Sequence, residues 1–408
     1  MNEETKHNFK SPLTELIDDG IYTGFDKRNS ALNYDMYLGK GMKEEIRRKA
    51  RENLIRDIRE NKPGCRIYDV AFKNAAVCLG CENAADDACI GPNKANVGLK
   101  SWTRINAMCQ TPQELGVSKY RGSPAEASKI VKRVAREIGA FRVGITGLDR
   151  RHVYSHDCDG KEILFESVDE PYETDSKRFI PDKCRYVVVM IVTMPASGFA
   201  CTPHQIGSAI PWVTYKKIDV LLSHVAHFIR GLGYTAIPSS NDTAPNGPFA
   251  VEAGLGEQGR ADKVINPTAG ALIRICKVIT DLPMELDSPQ TFGIARFCQI
   301  CNRCVEACPV NTINEENEES FHVPGKWTNP GHKTWHGNNP LCWAYAEQTS
   351  GSCGICVYVC PWNKPDTFFF RIIKGIIKRT SLFNRVFLAA DKLFGYGKLK
   401  NPESWWDL

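Results

Sequence analysis

Cys298-Gln-Ile-Cys301-Asn-Arg-Cys304-Val-Glu-Ala-Cys308-Pro309 opens a stretch that continues through Cys342 and closes on Cys353-Gly-Ile-Cys356-Val-Tyr-Val-Cys360-Pro361. The first half is the C-x2-C-x2-C-x3-C-P run of two-cluster ferredoxins, and the second repeats it with a longer first gap. Three thiolates at this spacing wrap one face of an iron–sulfur cube. The fourth, followed by proline, points away and ligates the other cluster. That crossing assigns Cys298, Cys301, Cys304 and Cys360 to one 4Fe–4S cluster, and Cys308, Cys342, Cys353 and Cys356 to the second. A disulfide framework suits a short secreted domain, not 408 residues. Zinc ribbons use two C-x2-C pairs without the closing C-P. Two adjacent clusters make a wire for single electrons. The run occupies only a small part of the chain, so the terminus of the wire must be sought elsewhere.

At 408 residues, 42% hydrophobic and 24% charged, the chain can hold two or three domains around a large core. A net charge of +5 is too mild to argue for nucleic acid, and no nucleic-acid partner is expected. Of the 17 cysteines, eight are assigned to clusters; such thiol use suits a reducing compartment. No segment approaches the ~20 consecutive apolar residues that span a bilayer. The opening Met1-Asn-Glu-Glu-Thr-Lys-His has neither an apolar signal core nor a twin-arginine signal. The expected location is therefore cytoplasmic as written. The alternative is the outer face of the cytoplasmic membrane, should a twin-arginine leader be missing from this chain.

Residues 1–62 read as a polar opening followed by a helix over 43–60, which ends before Pro63. Cys78-Leu-Gly-Cys81 with Cys89 resembles half a metal site. No second pair or histidine follows, so these thiols, with Cys65 and Cys109, read as buried or incidental. Residues 110–125 are rich in turn formers. From Ser123 the pattern becomes α/β. A helix is expected over 124–139 with Gly139 as its cap, then a strand from Phe141. Tyr186-Val-Val-Val-Met-Ile-Val reads as a buried central strand, 218–232 as a helix, and Gly233 leads into another strand. The loop Ala253-Gly-Leu-Gly-Glu-Gln-Gly-Arg260 fits G-x-G-x-x-G, but only the short Phe249-Ala-Val precedes it and Asn266-Pro267 cuts off any long helix after it, so the dinucleotide signal is weak. Phe368-Phe-Phe-Arg-Ile-Ile-Lys-Gly-Ile-Ile-Lys-Arg379 is basic and apolar. It reads as a helix packed on the domain, with a membrane surface as the alternative. The expected division is 1–122, an N-terminal region of mixed helix and loop; 123–290, the catalytic core; 291–365, the ferredoxin-like domain; and 366–408, a tail packed back on the core.

Several stretches together resemble the reductive dehalogenases, corrinoid and iron–sulfur enzymes acting on organohalides. They are Gly147-Leu-Asp-Arg-Arg-His-Val-Tyr154, Gly233-Tyr-Thr-Ala-Ile-Pro-Ser-Ser-Asn241, Ala250-Val-Glu-Ala-Gly-Leu-Gly-Glu-Gln-Gly-Arg260 and Ile273-Arg-Ile-Cys-Lys-Val-Ile-Thr-Asp-Leu-Pro283. The double cluster run, Pro361-Trp-Asn-Lys-Pro365, Phe394-Gly-Tyr-Gly397 and Trp405-Trp406 follow in the family's order. The resemblance implies an α+β fold: a nitroreductase-like sandwich holding a corrinoid (cobalamin or a variant), with a ferredoxin-like two-cluster domain. It implies electrons passing through two 4Fe–4S clusters to cobalt, and a small halogenated organic substrate. It implies Tyr215 as proton donor, with Arg274 as the cation that stabilises phenolate and Asn241 as the phenol's neighbour. Tyr154, Gly254, Gly256 and Glu257 are its candidate corrinoid contacts. An electron-donor protein or quinol-linked reductase is expected as partner. A small membrane-anchor subunit and a homodimer stay open.

Without the resemblance the same residues have plain readings: a half-buried helix tyrosine, a turn asparagine, a surface arginine. Two rivals remain. An epoxyqueuosine reductase-like corrinoid enzyme would need tRNA contacts, and its acidic proton donor has no matching position here. A non-catalytic ferredoxin-type electron carrier would bind no corrinoid.

Overall fold

The computed structural model describes residues 16–18, 20–60, 62–65, 102, 111–113 and 118–407. Cys78, Cys81, Cys89 and Cys109 lie outside the described residues, whereas Cys65 is described and partly buried. The strands among the described residues are β1 (Arg142–Gly147), β2 (Glu162–Glu166), β3 (Tyr172–Glu173), β4 (Lys177–Pro181), β5 (Tyr186–Thr193), β6 (Ala236–Ser239), β7 (Glu257–Gly259), β8 (Lys263–Ile265) and β9 (Ile273–Thr280).

The central sheet runs β1-β5-β9-β6, and every pairing in it is antiparallel. Continuous apolar runs are usual in parallel strands covered on both faces. Here β5 is such a run in an antiparallel sheet, because both of its faces are covered as well. Val188, Met190 and Val192 face a layer built by the helices Pro124–Ile138 and Gln205–Gly231. Val187, Val189 and Ile191 face the opposite layer, which includes Phe249 and Val251 of the helix Asn246–Glu252. The period-2 alternation of a strand divides one sequence between two cores. A second, three-stranded sheet, β2-β4-β3, contributes Ile163 and Ile180 to that opposite layer.

The helix Pro124–Ile138 starts where the sequence places it. Ser123 accepts a hydrogen bond from the Glu126 amide, Pro124 stands in the first turn, and Gly139 closes the end at φ +123°. The next helix departs from expectation. It begins at Gln205, well before residue 218, and carries Pro211 inside it. Pro211 removes a backbone donor and costs about 3 kcal/mol in a helix interior. Burial of Ile206, Ala209 and Ile210 around it supplies the offset. The Gly-rich segment is preceded by a helix and followed by the β7–β8 hairpin. That is not the strand–loop–helix order a dinucleotide fingerprint requires.

No helix among the described residues is long and apolar enough to cross a membrane. The segment Phe368–Arg379 is a helix with Ile377 buried, while Phe368 and Phe369 are 79% and 65% exposed.

Candidate active site and cluster-binding region

The cluster stretch folds as short helices, Ile294–Cys298, Arg303–Glu306, Asn339–Thr349 and Ile355–Tyr358, joined by tight turns. Its thiols fall into two mutually interacting sets. Cys360 lies in the field of Cys298, Cys301 and Cys304. Cys353 lies in that of Cys356, Cys342 and Cys308. The sets meet where Cys304 feels Cys356. Cys298, Cys301, Cys304, Cys356 and Cys360 line a partly open cavity with Arg260, Lys263, Phe297 and Trp362. None of the described cysteines is in a disulfide. Among the described residues no three His, Cys, Asp or Glu side chains converge on a single ion. Cys298, Cys301, Cys304 and Cys360 surround a space instead, as a cube needs.

Burial pushes the thiols up: Cys304 and Cys353 to about 12, Cys356 to about 11, and Cys360 well above the thiol range. A buried thiolate without a cation is costly, and bound iron reverses that cost. Cys308 goes the other way. Its burial is outweighed by bonds from the Thr312 hydroxyl and neighbouring backbone amides.

Two residues that sequence reasoning did not single out hold this region. Arg260 is buried, and its guanidinium donates to the carbonyls of Cys298 (2.8 and 3.1 Å), Gln299 (3.3 Å), Asn314 (3.1 Å) and Glu316. Five donors in a rigid fork suit such a set of carbonyls. Asn363 accepts from the Ala271 amide at 2.8 Å and donates to the carbonyls of Val357 (2.6 Å) and Tyr358 (3.0 Å). It therefore ties the C-P-W-N segment to the entrance of β9. Asn363 lies within the quoted Pro361-Trp-Asn, but nothing local announces its partners.

Tyr215, Asn241 and Arg274 come from a helix, a loop and a strand. Tyr215 lies on the long helix and packs against the same core layer as Ile218 and Leu222, which follow it at helical spacing. Arg274 pairs with Val192 across β5–β9, and Val192 faces that layer. Asn241 follows the end of β6, which pairs with β9 at Ser239↔Lys277. The structure brings all three together. Asn241 Nδ2 donates to the Tyr215 hydroxyl at 2.9 Å, and the Arg274 guanidinium carbon lies 5.1 Å from the Tyr215 ring centroid. All three are half-buried. Arg274 Nε is buried with no partner in the protein. Trp212, one turn earlier, has its ring centroid 6.1 Å from that of Tyr215. Ser208 Oγ, two turns before Tyr215, donates to the Ser350 carbonyl at 2.8 Å. The helix thus runs from the cluster stretch to the phenol over about 10 Å.

The remaining candidates have structural contacts. Gly254, at φ +67°, leaves no room for a Cβ, which would stand 2.5 Å from the Ser288 carbonyl oxygen. A Cβ on Gly256 would stand 2.5 Å from that of Ile265. Glu257 accepts from the Ile294 amide at 2.5 Å, at the start of the helix bearing Cys298. Burial pushes its carboxyl up despite backbone donors from Ile294, Phe292 and Ala295. Tyr154 packs against the core layer opposite Tyr215, with Lys27 Nζ 5.4 Å from its ring centroid. Burial, with Asp242 nearby, pushes its phenol well up.

A family model described as the reductive dehalogenase subunit matches residues 155–284, and one described as a 4Fe-4S double cluster binding domain matches 297–363. The tetrachloroethene reductive dehalogenase of Sulfurospirillum multivorans is 32% identical over 299 residues, 70% of this chain and 60% of that protein. Residues 155–284 thus match the reductive dehalogenase family. A solved reductive dehalogenase, described as suggesting a mechanism for B12-dependent dehalogenation, matches 71% of this chain and 39% of its own, at 25% identity and a TM-score of 0.60. A catabolic reductive dehalogenase variant shares the fold over 96% of this chain and 49% of its own, at 20% identity and a TM-score of 0.67. The chain spans about 60% of the length of the curated relatives it matches.

Proposed function

We propose that this chain is a reductive dehalogenase. It would replace a carbon-bound halogen by hydrogen in a small organohalide, taking up two electrons and one proton and releasing halide. The observation that carries the reading is the half-buried contact of Tyr215, Asn241 and Arg274, one helix segment away from eight thiols in two sets. Cys298, Cys301, Cys304 and Cys360 would hold one 4Fe–4S cluster, and Cys308, Cys342, Cys353 and Cys356 the other. The donor set fits: buried thiols facing one another around a cavity. A corrinoid fits too, because Thr202 Oγ1, Gln205 Oε1, Ser240 Oγ and Arg274 Nε are buried polar atoms without a partner in the protein. Such atoms suit the amide-bearing rim of a corrin ring. When bound, the clusters supply single electrons and the corrinoid a cobalt able to cleave carbon–halogen bonds.

The protein's own part is placement and proton delivery. The Tyr215 hydroxyl gives its proton to the carbon that has lost halide. Arg274 stabilises phenolate as it forms, with a guanidinium that has one donor unused. Asn241 orients the phenol. The four-stranded sheet, covered on both faces, would be the core of a nitroreductase-like sandwich. Residues 123–290 form the catalytic core, 291–365 the cluster domain, and 366–408 a tail whose Lys400 amide bonds the Ala200 carbonyl at 2.9 Å. An electron donor, a membrane-anchor subunit or a second copy would find exposed apolar surface at Phe368, Leu382, Leu393 and Phe394. Gly254, Gly256 and Glu257 would serve a corrinoid through the loop they shape, and Tyr154 from the opposite layer.

The test is anaerobic preparation with corrinoid, followed by halide release from tetrachloroethene and a halogenated panel in D2O. Halide release with one deuteron in the product is expected. Fully loaded protein that frees no halide would overturn the reading. Iron-loaded protein that binds no corrinoid would favour the electron carrier, and turnover of epoxyqueuosine in RNA would favour the tRNA enzyme.

A further inference from the structure

Behind Asn241 lies a buried polar chain that the proposed chemistry does not use. Lys277, on β9, points to the layer opposite Arg274, since the two are three residues apart on a strand. It is fully buried. Its Nζ donates to the Ala244 carbonyl at 2.6 Å, to Asn246 Oδ1 at 2.9 Å, and more weakly to the Ser240 carbonyl at 3.4 Å. Asn246 Nδ2 lies 2.6 Å from the Ser240 carbonyl, 2.8 Å from the Ile275 carbonyl and 2.9 Å from Asn241 Oδ1. Asn241 Nδ2 reaches the Tyr215 hydroxyl.

The direction of each bond follows from which groups can only donate and which can only accept. An ammonium has hydrogens and no acceptor, so Asn246 must show Lys277 its oxygen. Backbone carbonyls only accept, so the other side of Asn246 must be its NH2; the Ser240 and Ile275 carbonyls require the same orientation independently. Its two hydrogens serve three acceptors, one of them shared. A donor facing Asn241 requires the Asn241 oxygen there, which turns the Asn241 NH2 toward Tyr215. The phenol oxygen then accepts, and its own hydrogen is left out of that bond.

We propose that Lys277 and Asn246 are positioning residues. Acting through Asn241, they fix the direction of the hydrogen bond to Tyr215, so that the phenol presents its proton to the substrate instead of to the protein. The proposal rests on the reading of Tyr215 as proton donor. Reversed, the chain would have the phenol donate to Asn241 Oδ1, and the proton would be held by the protein. Burial pushes Lys277 down to about 7, with Asp242 opposing that shift and Lys27 adding to it. If the amine loses its proton, the Ser240 and Ile275 carbonyls still require the Asn246 NH2 on their side, so the direction survives.

The deciding experiment is joint X-ray and neutron diffraction on deuterium-exchanged crystals of the cofactor-loaded protein, which needs no turnover. Deuterons are expected on Asn246 Nδ2 facing Asn241 and on Asn241 Nδ2 facing Tyr215, with the phenol deuteron turned away. An Asn241 oxygen facing Tyr215 would overturn the proposal. So would Asn246→Asp, whose carboxylate only accepts and so calls for the Asn241 NH2 on that side, if it left the Asn241 orientation as in the parent. Asn241→Asp covers the case in which Asn246→Asp fails to fold. Its carboxylate accepts from Asn246 and must also accept from Tyr215. It should lower the single-turnover rate with tetrachloroethene at least about 10-fold at unchanged KM, and a rate within about twofold of the parent would also overturn the proposal. Tyr215→Phe, run in parallel, separates the two ideas. If that variant keeps the parent rate, the proton-donor reading fails. If it is slow while Asn246→Asp keeps both the rate and the Asn241 orientation, only the positioning role fails.

Discussion

The cluster stretch and the Tyr215 site are built in opposite ways. The eight thiols sit in two short runs, and local turns carry them to their places. Tyr215, Asn241 and Arg274 depend on a helix, a loop and a strand meeting, and on the register that sets Arg274 opposite Val192. The thiols are pushed up by burial and call for iron. The phenol site instead needs direction, since a hydroxyl can donate or accept and its neighbours decide which. Removing a part from the first region should cost a cofactor. Removing one from the second should cost rate while every cofactor stays.

The largest expected effect tests the first half of that contrast. Cys360→Ala should lose the cluster of the first run, so that iron falls from about eight per chain to about half that, and turnover ends. Iron analysis with low-temperature EPR checks it; full iron content would break the assignment of Cys360. Tyr215→Phe tests the other half. Its single-turnover rate should fall by ~10²–10⁴ with iron and corrinoid content unchanged. Loss of either cofactor would blur the distinction between the regions. Arg274→Lys keeps the charge without the fork, so its rate should lie between the parent's and that of Arg274→Ala.

Arg260 sharpens the comparison, because it belongs to the Gly-rich loop by sequence and to the cluster stretch by contact. Arg260→Leu strips donors from the carbonyls of Cys298, Gln299, Asn314 and Glu316. It should destabilise by about 3 kcal/mol, given the cost of buried unpaired acceptors. Faster loss of iron to a chelator is the readout, and a parent-like rate of loss would remove Arg260 from the cluster scaffold.

The smallest effect lies outside both regions. Burial pushes His152 down to about 4, and the Tyr22 hydroxyl contacts its Nδ1 at 2.9 Å. Between pH 6.5 and 4 the unfolded chain takes up a proton that the native His152 refuses. Stability is therefore lost as pH falls through that window, by up to roughly 3 kcal/mol. The apparent melting temperature of the parent should drop more over that range than that of His152→Gln. Equal drops would show that the loss originates elsewhere.

The sequence pattern made some elements legible and hid others. The helix Pro124–Ile138 was readable because Ser123, Pro124 and Gly139 mark both of its ends. The first turns of the helix Gln205–Gly231 were hidden by Gly207 and Pro211, residues that break isolated helices. They persist here because the segment is buried against the cluster stretch, through contacts such as Ser208 with Ser350. Tyr154, Gly254, Gly256 and Glu257 were picked out by motif, and the structure gives them packing and capping contacts. Lys277 sits inside the quoted Ile273-Arg-Ile-Cys-Lys motif, but its partners Ala244 and Asn246 could not be read from it.

By itself the sequence determined the two cysteine runs, the buried strand β5 and the family that residues 155–284 match. These depend on spacing, hydrophobic period and local turns, which a linear chain carries directly. Only the tertiary structure decided that Arg260 holds the cluster backbone and that Arg274 stands over Tyr215. It alone set the direction of the chain from Lys277 through Asn246 and Asn241. Those depend on strand register and on the pairing of donors with acceptors far apart in sequence, and no local preference encodes them.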